Sequence, residues 1–385
     1  MKKNPTILGL ASEFKGAEFI KECKKRGCKI IILAREAFRD HPWPHDCIDA
    51  FHTMPDLRIQ PDLTNAVTYL MRHEEIDRIV ALDDFDVEHA ADLREHIRMP
   101  GMLHSQARLF RDKLAMRSAA QSAGIAQPRF TGLVNHNHVY EFMLSVPPPW
   151  IFKPRTLAGS EGIQKFNQQE QVWQKLEELG DAQSQFLLEE FIPGNVFHVD
   201  SLNWQGSPLF ALASAYGAPP LTMLQGQKLF STRTLEQTSD IAQRLLNMNQ
   251  QLLTAFAREY GPSHSEFIQG QDGQLYFLET SARVAGGNIE RVIESATDIK
   301  VWQEAAKMEL ADYAKEHYEL PEQAIRYAGL IAAPIQHSTP DVSSFEAEEI
   351  RFRFNQDGFI TLVIAADSHE KRDELLAELG QQLLA

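Results

Sequence analysis

Two glutamates and an arginine lie close together in HSEFIQGQDGQLYFLETSAR, which spans residues 264–283. Asp272-Gly273 separates two β-rich runs, and this dipeptide is typical of a two-residue hairpin turn in which both residues have positive φ. Such a turn predicts the register of the two strands. The facing pairs are then Ile268 with Phe277, Glu266 with Glu279, and His264 with Ser281.

The predicted pairing of Glu266 with Glu279 brings two like charges together on neighbouring strands. Facing residues on neighbouring strands have Cβ atoms only about 5 Å apart, so two carboxylates are destabilising there unless a cation or a shared proton intervenes. Mg²⁺, or Mn²⁺ in its place, binds through protein carboxylates together with substrate phosphates. The alternative is an exposed sheet face on which the two side chains spread apart in water.

An arginine and two glycines follow the second glutamate. Arg283 could hold a phosphoryl group bidentately, Gly286 and Gly287 would let the backbone approach an anion, and Asn288 could cap the next helix. We therefore expect Arg283 to take part in the chemistry. The alternative is a structural counter-ion for the two glutamates.

Two lysines and a glycine loop could hold the phosphates of a nucleotide. Lys153 ends the predicted strand WIFKPR, and the loop TLAGSEG after it contains Gly159, Ser160 and Gly162. Such loops offer backbone N–H groups to phosphates, and a lysine adds a point charge. Lys113 lies on a predicted helix. Taken singly, GSEG is also typical of a hairpin connection and Lys113 of a solvated helix face, and no GK[ST] of a P-loop follows.

The strand LLEEFIPG ends in residues that could receive an adenine. Extended backbone there could pair with the edge of the base, and Glu189 or Glu190 could accept from its amino group. The residues concerned are Glu189, Glu190, Phe191 and Ile192. An ordinary strand exit would have the same sequence.

The first hundred residues indicate a parallel sheet. Short apolar runs (TILGL, KIIILA and RIVALDD) alternate with helical patterns (GAEFIKECKKRG and LTNAVTYLMRHEEI), as in strands joined by crossover helices. The GxGxxG dinucleotide fingerprint is absent. Asp83, Asp84 and Asp86 follow the last of these strands, and we predict that they lie in a solvated loop.

After Ser105 the pattern indicates an α+β region with a mainly antiparallel sheet. Several strands separate three long helical patterns. These predicted helices run from Ser105 to Gly124, from Thr238 to Tyr260, and over IERVIESATDIKVWQEAA at 289–306.

The composition favours small-molecule chemistry. The 385 residues carry a formal net charge of −15, which disfavours binding to nucleic acid and to anionic membranes. Three cysteines without a CxxC spacing argue against a disulfide framework and a zinc knuckle, and favour the cytoplasm. The first apolar run is too short for a signal peptide or a membrane span, so we expect no export.

Taken together and in this order, the motifs resemble the ATP-grasp superfamily, in the branch that includes biotin carboxylase, D-alanine ligases and carboxylate-amine ligases. After the Rossmann-like region come RDKLAMRSAAQSAGIAQP, FKPRTLAGSEG, LLEEFIPGNVFHVDS, HSEFI and LETSARVAGG. The resemblance implies a Rossmann-like domain over 1–104 and a lid with a first nucleotide-binding subdomain over 105–193. A second ATP-grasp subdomain with a C-terminal α/β extension would occupy 194–385.

The resemblance also implies roles for the candidate residues. Lys113 and Lys153 would hold the phosphates of ATP, AGSEG would be the mobile loop that covers them, and residues 189–192 would receive the adenine. The predicted metal ligands are Glu266, Glu279 and, more weakly, Ser281. Arg283 would steady the phosphoryl group or the bound carboxylate.

Two positions depart from the usual pattern of the family. Val196 stands where a glutamate commonly holds the ribose, so we expect a different ribose contact. Ser281 stands where an asparagine commonly binds metal. A hydroxyl ligates Mg²⁺ more weakly, which makes Ser281 the least secure ligand of the set.

The reaction that the resemblance implies is the ATP-dependent joining of a carboxylate to an amine, both of them small molecules. The acid is activated as an acylphosphate, a nucleophile attacks it, and ADP and phosphate are released. One alternative is a biotin-carboxylase-like enzyme that activates bicarbonate. Another is an ATP-binding sensor or partner protein without turnover. The family also makes a homodimer plausible.

Overall fold

The computed structural model describes residues 4–220, 229–335, 345–356 and 358–384. A four-stranded parallel sheet of order β3-β2-β1-β4 forms the N-terminal region. Its strands are β1 (Thr6–Ala11), β2 (Lys29–Arg35), β3 (Ala50–Met54) and β4 (Arg78–Ala81), with helices α1 (Ala17–Lys25), α2 (Asp62–Leu70) and α3 (Asp86–Ile97). Apolar clusters pack both faces of β1, as is typical of parallel sheets. The predicted Rossmann-like arrangement is confirmed.

A smaller antiparallel sheet of order β5-β8-β6-β7 follows. Its strands are β5 (Phe130–Gly132), β6 (Trp150–Pro154), β7 (Gln164–Phe166) and β8 (Phe186–Glu190). The helices of this region are α4 (His104–Ala107), α5 (Lys113–Ser122), α6 (His136–Ser145) and α7 (Gln169–Leu179). One apolar cluster joins α6 and α7 to β6 and β8, which makes the sheet a rigid support for Lys153.

The largest sheet has the order β13-β12-β9-β10-β11-β14-β16-β15, and all its pairings are antiparallel. Its strands are β9 (Gly194–Trp204), β10 (Ser207–Tyr216), β11 (Phe230–Thr234), β12 (Gly261–Gly270), β13 (Leu275–Ser281), β14 (Tyr327–Pro334), β15 (Ile350–Gln356) and β16 (Phe359–Ala366). The remaining helices are α8 (Asp240–Ala255), α9 (Ile289–Thr297), α10 (Val301–Ala314) and α11 (His369–Leu384). The predicted mainly antiparallel sheet is confirmed.

Helices cover both faces of this sheet near β12. Phe267 and Phe277 pack with α8, whereas Ile268 packs in the cluster that contains α9 and α10. This alternation follows from the two-residue period of a strand. Each helix in the described part of the chain is too short or too polar to cross a lipid bilayer.

The predicted helix from Ser105 to Gly124 is wrong in its first half. The Asp112 side chain accepts hydrogen bonds from the N–H groups of Leu114 (3.0 Å) and Ala115 (3.4 Å), so it caps α5. The residues before it form α4 and a 3₁₀ turn over Arg108–Phe110. Lys113 consequently begins a helix.

The other two predicted helices are also shorter than their patterns. Helix α8 ends at Ala255, and Ala257 has a φ of 52°. Asp298, with a φ of 62°, separates α9 from α10. Left-handed residues of this kind end helices. Asn288 precedes α9 but makes no side-chain cap, so its predicted capping role is wrong.

The hairpin of β12 and β13 has a three-residue loop instead of the predicted two-residue turn. Gly270 N–H donates to the Gln274 carbonyl, and Gly273 N–H donates to the Gly270 carbonyl, both at 2.9 Å. Of the two predicted turn residues, Gly273 alone has positive φ, at 77°. A left-handed residue at the end of the loop is typical of this longer turn.

The longer loop shifts the register near the turn, and a bulge then reverses the shift. Ile268 faces Tyr276, so the predicted pairing with Phe277 is wrong. The register changes between Glu266 and Phe267, where Leu278 is the extra residue of β13. Beyond the bulge the predicted pairs are confirmed: Glu266 with Glu279, and His264 with Ser281.

Replacing Gly273 with alanine is expected to lower the free energy of unfolding by about 1 kcal/mol, because a side chain disfavours left-handed backbone. Apart from Gly273 and its two chain neighbours, no heavy atom of the described residues lies within 4 Å of the position that the new Cβ would take, so the cost is conformational. Gly273→Asn should cost less, since asparagine tolerates this region. Urea unfolding followed by circular dichroism measures both, and equal losses would contradict this explanation.

Candidate active site

Two adjoining cavities meet at the paired glutamates of β12 and β13. The first, of about 220 Å³, extends over Lys153 and residues 190–192. The second, of about 330 Å³, extends toward Asp84, Arg283 and Gly286. Residues common to both linings are Lys113, Leu157, Ser160, Pro220, Glu266 and Glu279. The structure therefore brings most of the predicted site residues together.

Lys113 is buried at the start of α5, so the alternative of a solvated helix face is wrong. Its Nζ donates to the Leu157 carbonyl at 2.6 Å and lies 3.0 Å from Oε2 of Glu279. Burial by itself raises the pKa of Glu279, but the charges of Lys113 and Lys153 outweigh it and lower that pKa. Glu279 is consequently an anion at neutral pH.

Glu266 has different partners. The Tyr216 hydroxyl donates to its Oε1 at 2.7 Å, and His264 Nε2 lies 3.5 Å from the same oxygen. The side chains of Glu266 and Glu279 are 17% and 32% exposed, so they do not simply spread apart in water. Each carboxylate is held toward the cavities by its own neighbour.

His264 belongs to a buried hydrogen-bonded cluster that local sequence patterns did not reveal. Its Nδ1 lies 2.8 Å from Asp200 Oδ1, while His198 Nδ1 lies 2.7 Å from Asp200 Oδ2 and His198 Nε2 lies 2.7 Å from Thr232 Oγ1. Burial by itself lowers the pKa of His264, but Asp200 and Glu266 raise it to about 10. His264 is therefore a charged buttress for Glu266.

Lys153 is buried on β6 against a fully buried ion-pair network. Its Nζ lies 2.7 Å from Glu189 Oε2, and Arg117 Nε lies 2.7 Å from Glu189 Oε1. Burial lowers the pKa of Lys153 to about 8, despite the opposing charge of Glu189. Arg117 also donates to the carbonyl of Leu278 at 2.6 Å, which ties α5 to the bulge beside Glu279.

Arg117 was not among the predicted site residues, although its position in the sequence indicates a role. It lies four residues after Lys113 on α5, so both side chains share one helix face. Arg117 is a second cationic residue on the helix face that carries Lys113, which indicates that an acidic side chain is buried against this face. The partner, Glu189, follows only from the packing of α5 on β8.

The predicted adenine segment is in place, but its two carboxylates are already engaged. Glu189 binds Arg117 and Lys153, and Glu190 binds Arg129 through two contacts of 2.9 Å. An adenine amino group that bound here would therefore share a carboxylate oxygen with one of these cations. The cavity around the segment is largely apolar, with Ile151, Ile163, Phe191, Ile192, Val196, Ile268 and Leu278 in its lining.

The glycine loop lies over the junction of the cavities. Gly159, Ser160 and Gly162 all have positive φ, at 65°, 63° and 73°. A Cβ on Gly162 would lie 2.8 Å from Cγ of Pro154, so this position also needs glycine for space. Gly159 lines the second cavity, and Ser160 lines both.

The acidic residues after β4 are buried, so the predicted solvated loop is wrong. Asp83 binds Lys15, and Asp86 accepts from the backbone N–H (2.8 Å) and the hydroxyl (2.6 Å) of Ser12. Asp84 lies between two arginines, Arg111 and Arg283. These contacts bring the N-terminal region to the edge of the second cavity.

Arg283 is paired with Asp84 and not with the two glutamates. Its Nε lies 3.3 Å from Asp84 Oδ1. Burial alone raises the pKa of Asp84, but Arg111 and then Arg283 lower it to about 2. A Cβ on Gly286 would lie 3.8 Å from Arg283 Nη1 and 4.0 Å from Lys15 Nζ. The glycine thus leaves open space beside two cations, as an anion requires.

Part of this chain matches one family model and one curated protein. Residues 146–291 match the family model described as an ATP-grasp domain. The L-arginine-specific L-amino acid ligase of Bacillus subtilis is 26% identical over 234 residues, which are 59% of this chain and 56% of that protein. The match thus spans little more than half of that relative.

Solved structures show a similar fold over nearly the whole chain. An L-amino acid ligase from Bacillus licheniformis has a TM-score of 0.78 and 18% identity, covering 99% of this chain and 98% of that one. N5-carboxyaminoimidazole ribonucleotide synthetase from Thermus thermophilus has a TM-score of 0.72 and 14% identity, covering 97% and 98%. A biotin carboxylase from Campylobacter jejuni has a TM-score of 0.71 and 16% identity, covering 97% and 90%. Residues 146–291 therefore match an ATP-grasp domain, and the chain shares the fold of these three solved enzymes.

Proposed function

We propose that this protein is an ATP-dependent ligase that joins the carboxylate of an amino acid to an amine, with an acylphosphate intermediate. The observation that carries the proposal is the meeting of two cavities at Lys113, Glu266 and Glu279. The first cavity, which is lined by apolar residues and Lys153, would hold a nucleotide, and the second, beside Arg283, would hold a second substrate. The names of the Bacillus relatives support an amino acid as the acid.

The nucleotide cavity would bind ATP from its apolar end to its charged end. The base and ribose would lie among Ile192, Val196 and Ile268, and the phosphates would extend toward Lys153 and Lys113. Val196 leaves the ribose without the glutamate that the family commonly uses. Lys113, Ser160 and Glu279 line both cavities, so the terminal phosphate would reach the second substrate there.

Glu266 and Glu279 fit a divalent cation. Oxygen ligands from one or two carboxylates, together with phosphates, are what Mg²⁺ binds. Ser281 is a weaker candidate because its hydroxyl lies beside Asp84. When bound, Mg²⁺ would offset the negative charge of the phosphates. Lys113 and Lys153 hold Glu279 ionised, and His264 with Tyr216 orients Glu266.

The second cavity would hold the acid. Arg283, oriented by Asp84, offers a planar guanidinium that can bind a carboxylate or a phosphoryl group bidentately. Negative charge builds up on the transferring group, and a fixed cation stabilises it more in the transition state than in the ground state. The open space at Gly286 leaves room for that group.

Replacing Lys153 with methionine is expected to weaken ATP binding about 10- to 100-fold, the effect of losing one charge-assisted hydrogen bond. The pKa of Lys153 is about 8, so the protonated form prevails below that pH and is lost above it. ATP affinity of the unaltered protein should therefore fall between about pH 7 and about pH 9. Calorimetric titration measures both effects.

The matched control is Lys175→Met on α7, where the lysine pairs with the exposed Glu178. It should leave ATP affinity and its pH dependence unchanged. The Lys153→Met variant should bind ATP weakly at both pH values. An unaltered affinity in that variant would remove Lys153 from the nucleotide site.

The proposed reaction is tested by screening pairs of amino acids for ADP and phosphate release with Mg²⁺-ATP. Release that requires both a specific acid and a specific amine supports the ligase. Release that requires bicarbonate and biotin would instead indicate a carboxylase. Thermal stabilisation by ATP without release in any mixture would indicate a binding protein that lacks turnover.

A further inference from the structure

A separate cavity lies between the N-terminal domain and the large sheet. It has a volume of about 100 Å³, and its charged lining residues are Arg94 of α3, Arg258, Glu259, Arg283 and Glu309 of α10. The backbone on either side of the proposed catalytic arginine, Ala282 and Val284, also lines it. Arg283 therefore borders this interdomain cavity on one side and the second substrate cavity on the other.

Arg258 is buried without an acidic partner. It is 8% exposed, and its Nη2 donates to the Pro262 carbonyl at 2.9 Å. Its Nη1 lies 3.8 Å from the sulfur of Met102, and its Nε has no hydrogen-bond partner among the residues that the structure describes. Within the described ranges, no carboxylate lies within ion-pair distance of Arg258.

Arg94, on the same lining, is also satisfied by neutral groups. It donates to the carbonyls of Met102 (3.1 Å) and Ile79 (2.9 Å). No carboxylate in the described part of the chain makes an ion pair with it either. Two guanidinium groups thus line one small cavity with carbonyls and a thioether as their only described acceptors.

Among the described residues, the acidic side chains of the lining make no ion-pair contact with these arginines, although the charge of Glu309 acts on both. Glu309 lies 3.4 Å from Arg78 Nε, and Arg78 also binds Asp312 at 2.7 Å. Glu259 is exposed to solvent. Burial, together with the like charge of Arg94, lowers the pKa of Arg258 to about 10, and the opposing charges of Tyr260 and Glu309 offset this only in part.

We propose that the interdomain cavity binds a small oxyanion of about the size of phosphate, held by Arg258 and Arg94. Its volume accommodates such an ion and is too small for a nucleotide. The cavity adjoins a wider surface groove, because Arg258, Glu259 and Tyr260 line both. The bound ion would lie against the segment that carries Arg283, behind the proposed active site.

Crystals soaked in selenate test the site directly through anomalous scattering of selenium. The expected result is a peak within about 4 Å of the Arg258 guanidinium, the range of an ion pair. In Arg258→Met the peak should disappear, and in Arg72→Met, which alters an exposed arginine of the N-terminal region, it should remain. No peak in the unaltered protein would overturn the proposal, and a peak that persists in Arg258→Met would also overturn it and indicate an adventitious ion only.

Phosphate titration in solution gives an independent measure that does not depend on ligase activity. At constant ionic strength, thermal shifts should show that phosphate binds Arg258→Met at least about tenfold more weakly than the unaltered protein. Arg94→Gln is the second variant, to be used alone if Arg258→Met does not fold. Unaltered phosphate affinity in the folded variants would overturn the proposal.

Discussion

Turnover with ATP should fall at least about 100-fold when Glu279 is replaced with glutamine, because the proposed metal site loses one of its two carboxylates. Glu279 lies 3.0 Å from Lys113 and faces Glu266 across the hairpin. Glutamine keeps the shape and an oxygen for Lys113, but not the charge. The loss should therefore appear in the chemical step and in the Mg²⁺ dependence.

The fold should survive this substitution. Glu279 is 32% exposed on its side chain, and its partner Lys113 retains the Leu157 carbonyl as an acceptor. We expect the melting temperature to fall by no more than about 2–4 °C. Steady-state phosphate release, measured across a Mg²⁺ titration, gives the kinetic effect.

Glu178→Gln on α7 is the matched control, since that glutamate is 53% exposed and pairs with Lys175. It should leave turnover unchanged. Near-normal turnover in Glu279→Gln, with the variant folded, would remove Glu279 from the metal site. A large loss of stability instead would show that the residue holds the hairpin together.

Replacing Arg283 with lysine is expected to lower kcat about 10²- to 10³-fold while leaving ATP affinity within about threefold. Lysine keeps the charge but loses the planar pair of donors that a carboxylate or phosphoryl group binds. Arg283 lines the second cavity and does not line the nucleotide cavity. Its effect should consequently fall on the transferred group.

The contact with Asp84 sharpens this experiment. Arg111 also binds Asp84, so the acidic residue keeps a partner in Arg283→Lys and the N-terminal region should stay docked. Arg244→Lys, on the exposed side of α8, is the control and should behave as the unaltered protein. A weaker ATP affinity with normal kcat would contradict the proposed role of Arg283.

The sequence by itself determined the parts of the site that depend on local periodicity. Side chains alternate along a strand, so a turn between two β-rich runs brought Glu266 opposite Glu279. The loop is one residue longer than predicted, and the bulge at Leu278 compensates for it before the glutamates. The positions of Lys153 at the end of β6 and of the glycines after it could be predicted as well, because a strand followed by a glycine loop is also a local pattern.

The same local patterns could not show where helices break. The stretch from Ser105 reads as one helix, yet the Asp112 side chain competes for the backbone N–H groups and starts α5 at Lys113. A solvated helix face was the alternative for Lys113, which is instead buried against Glu279. A cap of this kind depends on which backbone groups the surrounding structure leaves free.

Only the tertiary structure decided how these pieces meet. The order of the large sheet places β9 beside β12, and with it Asp200 beside His264. Docking of the N-terminal sheet buries Asp84 between Arg111 and Arg283, and it leaves Arg258 without an acidic partner among the described residues. Such contacts join residues that are far apart in the chain. Their energies depend on burial and on neighbouring charges in the folded interior. A local pattern of residues does not encode either quantity.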